Sequence, residues 1–186
     1  MSGAPAREHD HGRALRLFFA LWPDTEVRRA LVRASRRWVR AAGGRAVPVE
    51  KLHITLAFLG SVPAEALDGL KGAAACVAAS SFELVLDRVG FFPGPRTLWL
   101  GPSQVCAALT GLERSLWAVL EPRGWKSEAR PFQPHVTLAR KAQPPARGPL
   151  VKPVVWPVEH FSLVESRTER QGAVYQELAR WPLGER

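Results

Sequence analysis

Apolar residues along the chain fall into two rhythms, one of period two and one of period three to four. Leu15-Arg16-Leu17-Phe18-Phe19-Ala20-Leu21 is short, aromatic and stopped by Pro23, which predicts a buried strand. Asp24 then caps a predicted helix with Val27, Ala30, Leu31, Ala34 and Trp38 on one face, ended by Gly43-Gly44. A link through Pro48 leads to a strand at 53–57, followed by a helix from about Pro63 with Ala66, Leu67, Leu70, Ala74 and Val77 on one stripe. Phe82 to Val89 alternates as a strand, Phe91 to Pro95 reads as a loop, and Thr97 to Leu100 reads as a short strand. A third helix is expected from about Ser103 to Leu120, apolar at Val105, Leu109, Leu112, Leu116 and Val119, before a strand at 135–139. Residues 141–153, rich in Pro, Gly and basic residues, read as a surface loop. Two closing strands, Val158 to Ser166 and Val174 to Trp181, form a hairpin around Glu169 to Gly172. The unit of helix, link and strand occurs at 24–57 and again at 103–139, a weak internal repeat.

One pentapeptide appears in both halves of that repeat. His53-Ile54-Thr55-Leu56-Ala57 and His135-Val136-Thr137-Leu138-Ala139 share four of five residues. Strand side chains alternate between faces, so His53 and Thr55 share one face while Ile54 and Leu56 anchor the other. The same holds for His135 and Thr137 against Val136 and Leu138. Each copy offers an imidazole and a hydroxyl. A pseudo-twofold arrangement would set the two copies side by side across a cleft.

Composition bounds what such a pair can serve. At 186 residues the chain fits one domain of two small lobes over 14–186, preceded by a tail at 1–13 expected to be disordered. His9 and His11 belong to that tail. Hydrophobic residues make up 46%, enough for a sizeable core. The formal net charge of +9 favours anionic partners, nucleic acid first, although the arginine face at 28, 29, 33, 36, 37 and 40 reads by default as a solvated helix surface. Cys76 and Cys106 fall in apolar helical patterns and read as buried, inert thiols in a reducing cytoplasm. No stretch approaches a membrane span, and no signal peptide is read at the start.

A phosphodiester suits the repeated motif. Its cleavage needs a proton taken from the nucleophile, a proton given to the leaving oxygen, and charge held on the non-bridging oxygens. Two imidazoles can do the first two jobs and two hydroxyls the third. Zinc would want three or four ligands, and these strand faces supply two His with no acidic companion, so no metal and no other cofactor is expected. A serine hydrolase is disfavoured by the absence of G-x-S-x-G, and the chain has neither a P-loop nor G-x-G-x-x-G.

At these residues the chain resembles the two-histidine phosphoesterase superfamily, and within it the RNA 2′,3′-cyclic phosphodiesterases of the LigT-like type, also described as 2′-5′ RNA ligases. The resemblance rests on Arg16 to Leu21, Leu52 to Gly60, Pro131 to Arg140, and Tyr175 to Leu178 before Trp181-Pro182-Leu183. It implies a bilobal α+β fold, two pseudo-symmetric lobes of antiparallel sheet plus helices, with the two H-x-T strands lining a central cleft. It also implies metal-independent opening of RNA 2′,3′-cyclic phosphate ends, tRNA fragments among them, to 2′-phosphomonoesters by a cytoplasmic monomer.

By that resemblance His53 gives a proton to the departing 3′ oxygen, His135 acts as base on water, and Thr55 and Thr137 hold phosphate oxygens. Where many relatives carry Arg, this chain has Gln133, which leaves Arg130 and Arg140 as the phosphate or RNA contacts. Strand alternation puts Arg140 on the face opposite His135. Phe91 and Phe92 serve as core or as a base-stacking platform, with at least one in the core. Other readings of the same residues are a cyclic phosphodiesterase of small nucleotides, reversible 2′-5′ RNA ligation, and a non-catalytic RNA-binding module using the basic helix.

Overall fold

A computed structural model describes residues 13–145, 150–170 and 172–184. The tail expected at residues 1–13 lies outside them, apart from Arg13. The strands are β1 Ala14–Leu21, β2 Arg45–Ala46, β3 Ile54–Pro63, β4 Phe82–Phe92, β5 Thr97–Gly101, β6 Val136–Arg140, β7 Leu150–Val158, β8 His160–Glu169 and β9 Gly172–Pro182. The helices are α1 Thr25–Ala42, α2 Leu67–Ala75 and α3 Ala107–Leu120. None of the helices among the described residues is long and apolar enough to cross a membrane.

All pairings are antiparallel, in the order β7-β4-β5-β6-β3-β1-β8-β9 with β2 beside β6. The array is pinched at its centre. β3 and β6 share a single register pair, Ile54 with Val136, whereas β1 and β3 pair over eight positions. That seam divides the array into two four-stranded lobes, β3-β1-β8-β9 and β6-β5-β4-β7, each read outward from the seam. The fold is thus α+β and bilobal, with the two H-x-T segments at the join. Ile54 and Val136 are both fully buried, so apolar burial, worth roughly 1.5–3 kcal/mol per side chain, holds the seam where backbone pairing is sparse.

The helices lie on the face opposite the histidines and cross between lobes. α1 starts where Asp24 accepts a hydrogen bond from the Val27 amide at 2.8 Å, and stops at Gly43, whose φ of +60° suits glycine. It packs beneath β7, β5 and β6, although β1, which precedes it, and β3, the next long strand after it, are in the other lobe. α2 and α3 pack on each other and on β9 and β3, and α3 also reaches β4. One apolar core runs under both lobes, from Phe19 and Phe161 to Leu86 and Leu98.

Several sequence-based boundaries move. β3 runs on to Pro63 because it keeps pairing with β1 as far as Ala14, so the helix expected from Pro63 begins at Leu67. α3 begins at Ala107 rather than Ser103, since Asp87 binds both the Ser103 amide and its hydroxyl at 2.7 Å and holds that residue in a turn. Val105, expected on the apolar stripe, is exposed. The surface loop assigned to 141–153 gives way to β7 from Leu150. Pro153 and Pro157 disguised this strand, and they are tolerated because β7 is an edge strand. Phe91 and Phe92 end β4 rather than forming a loop. The cysteines are not buried as expected. Cys76 is exposed at the end of α2 and Cys106 is half-buried at the cap of α3, each at a helix end where the packed stripe has run out.

Candidate active site

Each histidine stands one residue before its strand, and each is held in the same way. His53 Nδ1 lies 2.7 Å from the Lys51 carbonyl, and His135 Nδ1 lies 2.8 Å from the Gln133 carbonyl. A carbonyl oxygen only accepts, so Nδ1 carries the proton in both rings and Nε2 of the neutral imidazole is left with a free lone pair. The alternation expected from sequence is present at both copies: half-buried His, buried Ile or Val, half-buried Thr, buried Leu. Through the antiparallel seam pair, His53 falls beside Thr137 and Thr55 beside His135.

Aromatic rings wall both imidazoles. Trp22 stacks on His53 with centroids 5.2 Å apart and planes 11° from parallel, Phe18 lies at 5.0 Å, and Tyr175 meets the ring edge-on at 5.4 Å. In the other lobe Phe92 meets His135 edge-on at 4.9 Å, and Trp99 lies at 6.2 Å. Phe92 is therefore a wall of the cleft, while Phe91 packs against the core. Sequence reasoning missed Trp22, Tyr175 and Trp99. The available signals were Phe18 on β1 and Trp22 just past its end at even spacing, and Tyr175 in the stretch that carries the resemblance.

Burial governs the electrostatics. It pushes His53 down to about 4 from an ordinary 6.5, against the opposing hydrogen bond that the ring donates to the Lys51 carbonyl, and the charges of His135 and Arg140 push the same way as burial. His135 is also lowered, by burial first and then by Arg140, against the hydrogen bond to Gln133. In both rings burial favours the neutral imidazole.

Arg140 reaches both histidines despite its parity, and the reason is a β-bulge in β6. Trp99 pairs with Thr137 but Leu98 pairs with Ala139, which leaves Leu138 as an extra residue in β6. Leu138 and Ala139 are both buried, and Arg140 emerges on the face of His135 and Thr137. The expectation of an opposite-facing Arg140 is corrected by that one extra residue. β3 carries the matching bulge: Ala20 pairs with Thr55 and Phe19 with Ala57, which leaves Leu56 extra and turns Phe58 out as the counterpart of Arg140. Arg130 is placed otherwise. Its guanidinium is exposed and engaged by Glu128 at 2.9 Å, and its charge acts on neither histidine.

A family model for the 2′-5′ RNA ligase superfamily matches residues 23–170. The chain belongs to this superfamily. An RNA 2′,3′-cyclic phosphodiesterase of Thermus thermophilus is 36% identical over 91% of this chain and 90% of its own length. The Escherichia coli protein of the same description is 34% identical over 90% and 96%. Among solved structures, Escherichia coli LigT in its apo form superposes with a TM-score of 0.86 at 32% identity, covering 94% of this chain and all of that one. The same protein complexed with 3′-AMP gives 0.82 over 93% of this chain.

Within this superfamily fold, Trp99 depends on a glycine. It lies across Gly90, its partner on β4, so closely that a methyl there would sit inside the indole ring. Gly90→Ala should destabilise the protein by about 1–3 kcal/mol and slow turnover by moving Trp99 against His135. A thermal melt and a rate measurement check this, and an unchanged melting temperature would mean the ring has room to shift. Among the described residues no three His, Cys, Asp or Glu gather as a metal site.

Proposed function

We propose that this protein opens RNA 2′,3′-cyclic phosphate ends to 2′-phosphomonoesters by metal-independent acid–base catalysis between His53 and His135. The observation that carries the reading is the matched pair of histidines across one seam, each with Nδ1 tied to a carbonyl, each opposite a Thr in the register, and both within the electrostatic reach of Arg140. His135 Nε2 takes a proton from water as the water oxygen attacks phosphorus. The bond from phosphorus to O3′ breaks, and a protonated His53 gives its Nε2 proton to O3′, leaving a free 3′-hydroxyl and a 2′-phosphate. Thr55 and Thr137 donate to the non-bridging oxygens, and Arg140 offsets their charge.

The lowered pKa of His53 sets a condition on that scheme. A ring at about 4 is a poor proton carrier at neutral pH, and a bound phosphate anion raises it by favouring imidazolium. The acid thus loads as the substrate enters. Two relatives support the substrate class: proteins described as RNA 2′,3′-cyclic phosphodiesterases match over nearly the whole chain, and Escherichia coli LigT has been crystallised with 3′-AMP and with phosphate.

A cyclic-ended oligonucleotide incubated with the protein in excess chelator is expected to yield a 2′-phosphate end. Release of a 3′-phosphate, or loss of turnover to the chelator, would sink the proposed chemistry.

A further inference from the structure

A strongly cationic surface lies away from the histidines. Between α1 and the edge strand β7 runs a groove of about 740 Å³ lined by Arg33, Arg36, Arg37, Arg40 and Lys152, with Ala30, Ala34, Pro153 and Val154 as its apolar base. Among the described residues its lining holds no acid. On α1 the four arginines stand at spacings of three and four, so each faces another across one helical turn. Such like-charge neighbours cost a few tenths of a kcal/mol per pair in an isolated helix. Arg33, Arg36 and Arg40 have no ion pair or hydrogen bond among the described residues, and the helix carries one acid, Glu26, in its first turn. The stripe from Arg33 to Arg40 is roughly 10 Å long at helical rise, which is longer than a single phosphate requires.

We infer that this groove is a docking track for the phosphate backbone of the RNA upstream of the reacting end; the assignment of RNA rests on the function proposed above. The geometry sets a length threshold. From β6, which carries the His135 segment, the order β6-β5-β4-β7 places the edge three strand spacings away, roughly 14 Å, with about 10 Å more round that edge to the helix layer. A mononucleotide in the cleft cannot span that path. An RNA several nucleotides long can.

The test compares the wild type with Arg33→Gln/Arg36→Gln/Arg40→Gln on two substrates, a 2′,3′-cyclic mononucleotide and a cyclic-ended 12-nucleotide RNA. On the mononucleotide kcat and KM should stay at wild-type values, which also reports that the variant is folded. On the 12-mer KM should rise about tenfold or more at low salt. The slope of log affinity against log salt should flatten by about 2, as losing three cations from a single strand requires. Arg33→Lys/Arg36→Lys/Arg40→Lys should recover most of the loss.

An unchanged KM on the 12-mer overturns the inference and leaves a solvated helix face. Equal loss on both substrates overturns it too, as does polyglutamate competing as well as RNA of the same charge. Binding of a 12-mer ending in a plain 3′-hydroxyl, followed by fluorescence anisotropy, separates the two readings. If cyclic ends are not hydrolysed but the Gln variant still loses this binding, the groove stands and the proposed reaction falls.

Discussion

His135→Ala is expected to cut hydrolysis of a cyclic-ended oligonucleotide by two to four orders of magnitude, and His53→Ala by a similar factor. General acid or base catalysis by one positioned group is worth about that much. The two losses should not add, because once one proton transfer fails the other cannot complete the displacement. A better leaving group tells the roles apart. If His53 is the acid, an aryl ester that departs without a proton should restore much of the His53→Ala rate and little of the His135→Ala rate. Equal rescue would reverse or dissolve the assignment. Full activity in both variants would leave only an RNA-binding module.

Arg140→Gln should have the next largest effect, a fall of roughly 10²–10³ in kcat, the range seen when one donor to a developing oxyanion is removed. It should also move the pH profile, and the sign follows from the charges. Arg140 lowers both histidines, so without it both pKa values rise. In the proposed scheme the base limb, where His135 has to be neutral, and the acid limb, where His53 has to be protonated, should therefore both shift to higher pH. With His53 at about 4, the wild-type maximum of kcat/KM lies on the acid side of neutrality. The variant's profile should be lower and displaced toward alkaline pH. A profile reduced in height but not displaced would place Arg140 on the substrate alone, out of electrostatic reach of the rings. Arg140→Lys should keep part of the pH effect but lose rate, because an ammonium lacks the planar fork that matches a phosphate.

Much of this was legible in residue pattern. The doubled pentapeptide located both imidazoles and both hydroxyls, since strand alternation is a local property that survives folding. α1 was readable from cap to stop because Asp24 and Gly43 act within a few bonds of the helix they bound. What escaped were effects settled by a partner strand. The extra residue Leu138 reverses Arg140, yet nothing in Val136 to Arg140 says that β5 skips it. Pro153 and Pro157 argue against a strand until β7 is known to be an edge. Trp22, Tyr175 and Trp99 reach the histidines from the end of β1, from β9 and from β5, so their contacts exist only after the sheet has assembled.

The crossing of the chain between lobes has a consequence for how the molecule is made. β1, at the start, pairs with β8, about 145 positions later, and β8 is completed by the last strand, β9. α1 meanwhile lies under strands of the opposite lobe, including β7. During synthesis, then, neither lobe closes early: each waits on segments from the final third of the chain. Such non-local pairing slows folding, and the apolar stripe of α1 stays uncovered on the ribosome until β5, β6 and β7 emerge. The aromatic wall around His53 is completed only by β9, when Tyr175 closes against its ring.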